Sequence, residues 1–113
     1  MTQGDSYQAS YARQKAAKGE INFSQHAMDQ MGDRKIWIDE VYTAIANGLE
    51  IELQTFEDKD VRVLFQESTE NIPRFAVVVA VDHPEVNVVT VFRFEDEDKY
   101  EYNEKIMCWR RKK

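Results

Sequence analysis

Hydrophobic positions along this chain follow two rhythms, and the change from one to the other comes at Gly48. Before it the spacing is helical. Phe23, Ala27, Met28 and Met31 recur at steps of three and four, which predicts a helix capped by Ser24 and stopped by Gly32. Ile38, Val41, Tyr42, Ile45 and Leu49 make a second stripe, predicting a helix over roughly Ile38 to Asn47 with an apolar face wide enough to cover a sheet. Asp39 and Glu40 in its first turn suit the helix dipole, and Asn47-Gly48 is expected to give a left-handed exit. Residues 1–20 are polar, with Tyr7, Tyr11, Ala9, Ala12, Ala16 and Ala17 in loose helical spacing. They read as either an N-terminal helix or a frayed tail, ahead of a single domain over residues 21–113.

After Gly48 the period falls to two. In LEIELQT, Leu49, Ile51 and Leu53 are expected to face inward and Glu50, Glu52 and Gln54 outward. EDKD then turns the chain into VRVLFQ, where Val61, Val63 and Phe65 share a face, so the two segments predict an antiparallel hairpin. RFAVVVAV and NVVTVFRF, joined across Asp82 to Glu85, are apolar at nearly every position, as strands buried on both faces are. The expected fold class is therefore α+β: two or three N-terminal helices on one face of a four-stranded, mainly antiparallel sheet.

Composition narrows the function classes. A length of 113 residues suits one domain, and 42% hydrophobic with 32% charged residues suits an ordinary globular one. No apolar run could span a bilayer and the first residues lack the blocks of a signal peptide, so a cytoplasmic protein without membrane association is expected. One cysteine, Cys108, and two histidines offer no metal-ligand spacing, so no metal or cofactor is expected. The net charge of −6 argues against a broad nucleic-acid footprint but leaves room for a local basic site. Acidic side chains concentrate between Glu95 and Lys105, whereas Arg110 to Lys113 are all basic. The final CWRRKK reads as a basic tail anchored by Trp109, pairing with that acid patch or with phosphate.

Few residues suggest chemistry. His26 lies about 100° from Ala27 on the helical wheel, at the margin of the buried stripe. It is either a boundary imidazole bonded to Asp29 or Gln30, or a working acid or base. Arg34 and Lys35 lie where cations complement a helix C-terminus. Thr90, the one polar residue inside VVTVFRF, is expected to share a face with Val88, Phe92 and Phe94, with Val89, Val91 and Arg93 opposite. Arg93 closes the strand as a snorkelling side chain. His83 reads as a turn residue.

In order, FSQHAMDQM, then Arg34, then IWIDEVYTAIANGLEIE, then VVTVFR and a closing Arg110-Arg111 resemble a widespread bacterial family known only as a domain of unknown function, family 4258. The resemblance spans about residues 21–111. That family is in turn similar in expected fold to RelE-type toxins of the barnase–EndoU–colicin–RelE group, which cleave RNA without metal. The resemblance implies a metal-independent endoribonuclease of a toxin–antitoxin or related system, with an RNA substrate and an inhibitor or antitoxin protein as partners. It places general acid/base work on His26, phosphate binding on Arg34 and substrate contact on Thr90, with Lys35, Arg93, Arg110 and Arg111 as further cationic groups. Three departures weaken that implication: Phe92 stands where the family has tyrosine, Phe75 where it often has histidine, and Gln30 where it has arginine or lysine. The alternative is a non-catalytic, acidic protein-binding module on the same scaffold. The sequence leaves the oligomeric state open.

Overall fold

Both rhythms meet in one central sheet. The computed structural model describes residues 5–55, 61–67, 71–82 and 84–112. In chain order come α1 (Tyr7–Ala17), β1 (Asn22–Phe23), α2 (Gln25–Arg34), α3 (Ile38–Asn47), β2 (Leu49–Thr55), β3 (Val61–Gln66), β4 (Phe75–Asp82) and β5 (Glu85–Arg93). A short 3-10 turn (Phe94–Asp96) leads to β6 (Tyr100–Asn103) and β7 (Cys108–Arg111). The sheet order is β1-β5-β4-β3-β2, antiparallel except where β1 runs parallel to β5. The α+β class stands, but the sheet has five strands rather than four. The added strand is two residues long, too short for any periodicity, and its pairing continues as the Ser24 N–H donates to the Val88 carbonyl at 3.0 Å. No helix is long and apolar enough to cross a membrane among the described residues. The turn expected at residues 57–60 and His83 lie outside those residues.

All three helices bury side chains against one face. The buried side chains of α1 are Ala9, Ala12 and Ala16, with Tyr11 packed at the margin, and the small size of the alanines lets the helix lie close to α3 and the sheet. Ser6 caps α1, and its own N–H and hydroxyl donate to the Glu50 carboxylate at 2.8 and 2.6 Å, which ties the helix start to β2. Arg13 reaches from α1 to the Ile45 and Ala46 carbonyls, satisfying acceptors that the end of α3 leaves open. Ser24 caps α2 as expected, its hydroxyl accepting from the Ala27 N–H. Gly32, however, does not stop α2. The helix runs to Arg34, and Lys35 takes the left-handed position with φ 56°. Gly48 is not left-handed either: its φ is −76°, and a Cβ at that site would strike the Gln66 and Ala44 carbonyl oxygens. Glycine is needed there for close approach of backbones, not for φ.

Two β-bulges reset which way side chains point. In β2 the register slips between Glu50 and Glu52, so Glu50 faces α1 while Glu52 faces the opposite side. Strict alternation therefore fails: Ile51 is buried, but Leu49 and Leu53, expected inward, are 44% and 45% exposed on this edge strand. In β4–β5 the slip between Val78 and Val79 leaves Val89 unpaired. Val88 and Val91 join the helix-side core, whereas Val89 and Phe92 pack on the other side. Thr90 thus parts from Val88 and keeps company with Phe92, correcting the face assigned by simple alternation.

The C-terminus is not a tail. β6 and β7 form a hairpin, with Glu101 opposite Arg110, that lies over the sheet face away from the helices. The buried Gln66 side chain holds it, donating to the Met107 carbonyl at 3.1 Å and accepting from the Trp109 N–H at 3.0 Å. Trp109 stacks on Phe94 with centroids 4.5 Å apart, and its indole N–H donates to the Pro73 carbonyl. Arg110 donates to the carbonyl of the bulged Ile51 at 2.8 Å, so the guanidinium also blocks that point of the β2 edge.

On the far side of the sheet, α2 lies along β5 and guards its edge. The Gln30 side-chain oxygen accepts from the Val91 N–H at 2.8 Å. Gln30→Ala would orphan a donor on a fully buried residue. The expected loss is about 2 kcal/mol in urea unfolding. A change under about 0.5 kcal/mol would show that this bond contributes little.

Candidate functional site

Between α2 and the β6–β7 hairpin the sheet face is left uncovered, and a groove of about 240 Å³ runs over it. Leu64, Val78, Thr90 and Phe92 supply its floor from β3, β4 and β5. Gln30 and Arg34, one helical turn apart on α2, form one wall. Lys99, Tyr100 and Arg111 form the other, with Gln54, Arg62 and Glu97 at its ends. Four cationic side chains thus line the groove against one carboxylate, in a chain whose net charge is −6.

The two wall arginines are held differently. The Arg34 backbone carbonyl accepts from Arg93 Nη2, which anchors the helix end. Its side chain lies 3.9 Å from the Asp96 carboxylate, beyond hydrogen-bond range, and its Nε–H makes no hydrogen bond among the described residues. Arg111, by contrast, is tightly fixed. Its Nε and Nη2 donate to the two Glu52 oxygens at 2.9 and 3.1 Å, and Nη2 also donates to the Tyr100 hydroxyl at 3.1 Å. Its guanidinium carbon sits 5.1 Å from the Tyr100 ring centre. The Tyr100 hydroxyl donates to Glu52 at 3.1 Å, and its ring stacks on Phe92 with centroids 5.7 Å apart.

This network shifts two ionisations in opposite directions. Hydrogen bonds from Arg111, reinforced by Tyr100, hold the Glu52 carboxyl below its ordinary 4.5 despite burial. Burial, then the Glu52 charge, pushes the Tyr100 phenol up to about 12 from 10.0. The stabilisation from Glu52 is therefore full above pH 4.5 and lost as pH falls through its lowered value. That from Tyr100 is full below pH 10.0 and lost as pH rises through about 12. At neutral pH both are intact, and the phenol is a proton-bearing group rather than a base.

Of the residues singled out from sequence, the fold brings Arg34, Thr90 and Arg111 to the groove. His26 is exposed one turn before Gln30 and does not line it. It bonds to neither expected neighbour, since Asp29 is taken by Gln25 and Gln30 by the Val91 N–H. Lys35 is exposed beside an apolar hollow formed with Met31, Gly32, Ile36 and Trp37. Arg93 and Arg110 are committed to backbone carbonyls. Sequence reasoning passed over Glu52, Arg62, Lys99 and Tyr100. The Tyr100-x-Tyr102 alternation was the one available hint, because it marks a strand inside what otherwise reads as an acidic run. No group of three or more His, Cys, Asp or Glu side chains placed to hold a metal ion occurs among the described residues.

Tyr100 stacks directly on Phe92, which brings a phenol to the groove beside that ring. Gln30, which also lines this groove, has a structural task at the β5 edge. Comparison with curated proteins and with solved structures returns no match. Residues 23–93, which run from the end of β1 through β5 and make up more than half of the chain, match the family described as Domain of unknown function (DUF4258), and the chain belongs to that family.

Proposed function

We propose that the groove binds the phosphodiester backbone of single-stranded RNA, and that the protein is a metal-independent ribonuclease of RelE type with weakened cleavage. One observation carries the reading: four cations face an uncovered sheet strip in an otherwise acidic chain. Cations on two walls suit a strand threaded between them, and a sheet floor with a hydroxyl at Thr90 suits contact with sugar and base. Cleavage without metal also needs a base for the 2′-hydroxyl and an acid for the leaving oxygen. Tyr100 is protonated at neutral pH but donates that one proton to Glu52, so it meets neither requirement directly. His26 lies outside the groove, which is why the reading includes slow chemistry.

The test is fluorescence anisotropy with a labelled single-stranded RNA oligonucleotide over a salt series, beside a cleavage assay in chelator. Binding should weaken as salt rises, with a log–log slope of about −1.5 to −3 for two to four neutralised phosphates. His26→Ala should change affinity by less than about twofold, since a side chain off the groove adds no phosphate contact. Absence of salt-dependent binding would sink the proposal. A second reading, an acidic module for a basic protein or antitoxin, is favoured by the exposed Glu95, Asp96, Asp98, Glu101 and Glu104. It predicts a stoichiometric protein complex that is indifferent to Arg34→Gln.

A further inference from the structure

We infer that Glu52, Tyr100 and Arg111 act as one pre-set phosphate-binding unit, in which Arg111 touches the ligand while Glu52 and Tyr100 are positioning residues. The inference rests on the groove reading above and goes beyond it, because neither Glu52 nor Tyr100 carries positive charge. Three of the five guanidinium N–H donors of Arg111 are spent inside the protein, on Glu52 and Tyr100. Its Nη1 makes no hydrogen bond among the described residues, and the side chain lines the groove. Glu52 itself is not among the lining groups. It stands behind Arg111, on the side of β2 to which the bulge turns it. A long, flexible side chain held on three hydrogen bonds and a ring face loses little rotamer entropy when a phosphate arrives. Glu52 thus pre-pays the ordering of Arg111.

Coulomb attraction and positioning predict opposite signs for one substitution. Removing a carboxylate near an anion site should tighten phosphate binding if charge alone matters. Glu52→Gln keeps the shape but offers one acceptor in place of two, so Arg111 loses an anchor. The positioning account expects RNA affinity to weaken about threefold to tenfold. The salt slope should also shrink by about 0.7 as one phosphate contact is lost. A change confined to packing would leave that slope unmoved. Tyr100→Phe retains the ring but removes the hydroxyl from both hydrogen bonds, and should weaken binding about twofold to threefold by loosening the same guanidinium.

The experiment uses the full chain, the same labelled RNA oligonucleotide and both variants, with folding checked by circular dichroism. Weaker binding with a reduced slope in both variants supports the unit. Equal or tighter binding by a folded Glu52→Gln protein overturns it while leaving the groove reading in place. Should that variant fail to fold, Tyr100→Phe decides: unchanged affinity and slope overturn the inference. No binding by the parent protein overturns the inference and the groove reading together.

Discussion

Gly48→Ala is expected to destabilise the protein by about 3 kcal/mol, seen as a fall of roughly 10 °C in the thermal midpoint. The conformation of Gly48 is open to any residue, so strain in φ is not the cause. Space is. The added methyl would meet two carbonyl oxygens, Gln66 on β3 and Ala44 on α3, and neither is the yielding end of a flexible side chain. Ala44 also accepts from the Gly48 N–H at 2.9 Å, so moving it away would stretch the last bond of α3. Gln66 is the residue whose side chain holds β7 through Met107 and Trp109. Displacing its backbone would therefore loosen the hairpin that forms one wall of the groove. A variant with an unchanged midpoint would show that β2 and α3 part easily at this junction.

The same residue shows what sequence can and cannot convey. Gly48 marks the change of rhythm correctly, and the helix before it spans Ile38–Asn47 as the stripe implies. The first near-continuous apolar run also lies in the sheet interior: β4 sits between β3 and β5, and all but its last residue is buried, whereas β5 keeps Val89, Thr90 and Arg93 only half-buried. These features depend on burial repeated over many residues, and the pattern records them. Bulges break that dependence. One unpaired residue at Ile51 separates Glu50 from Glu52, and another at Val89 separates Val88 from Thr90. No local composition announces either slip, yet each determines what faces the groove.

The wall built by β6 and β7 was hidden for another reason. Its outward positions are charged, and its inward ones are few: Tyr100 and Cys108, with Trp109 half-covered. A short amphipathic hairpin whose burial comes from docking on a distant sheet face leaves only a weak alternation in the chain. The resemblance to a family brought Arg34, Thr90 and Arg111 into view, since each falls on a quoted motif. Tyr100 falls on none of those motifs, and Glu52 falls at the end of one but receives no role from it. They become visible only when the bulge in β2 and the hairpin are placed together.

Replacing both wall arginines, Arg34→Gln with Arg111→Gln, is expected to weaken RNA binding about 100-fold, with a salt slope reduced by about 1.4. The two side chains share no partner. Arg34 faces Asp96, while Arg111 is held by Glu52 and Tyr100, so losses of about tenfold each should add as free energies. Folding should tolerate both changes. The Arg34 carbonyl that anchors Arg93 is backbone, and a glutamine at 111 retains an amide N–H for Glu52. The control is an equal change of charge away from the groove, Lys18→Gln with Lys35→Gln, both exposed positions. If binding came from net charge alone, the two double variants would lose equally, because each makes the chain more negative by two charges. Affinity in this reading comes instead from where the cations stand, so the control should lose less than about threefold. Equal losses in the two proteins would show that RNA is held by diffuse attraction, with no part played by the walls.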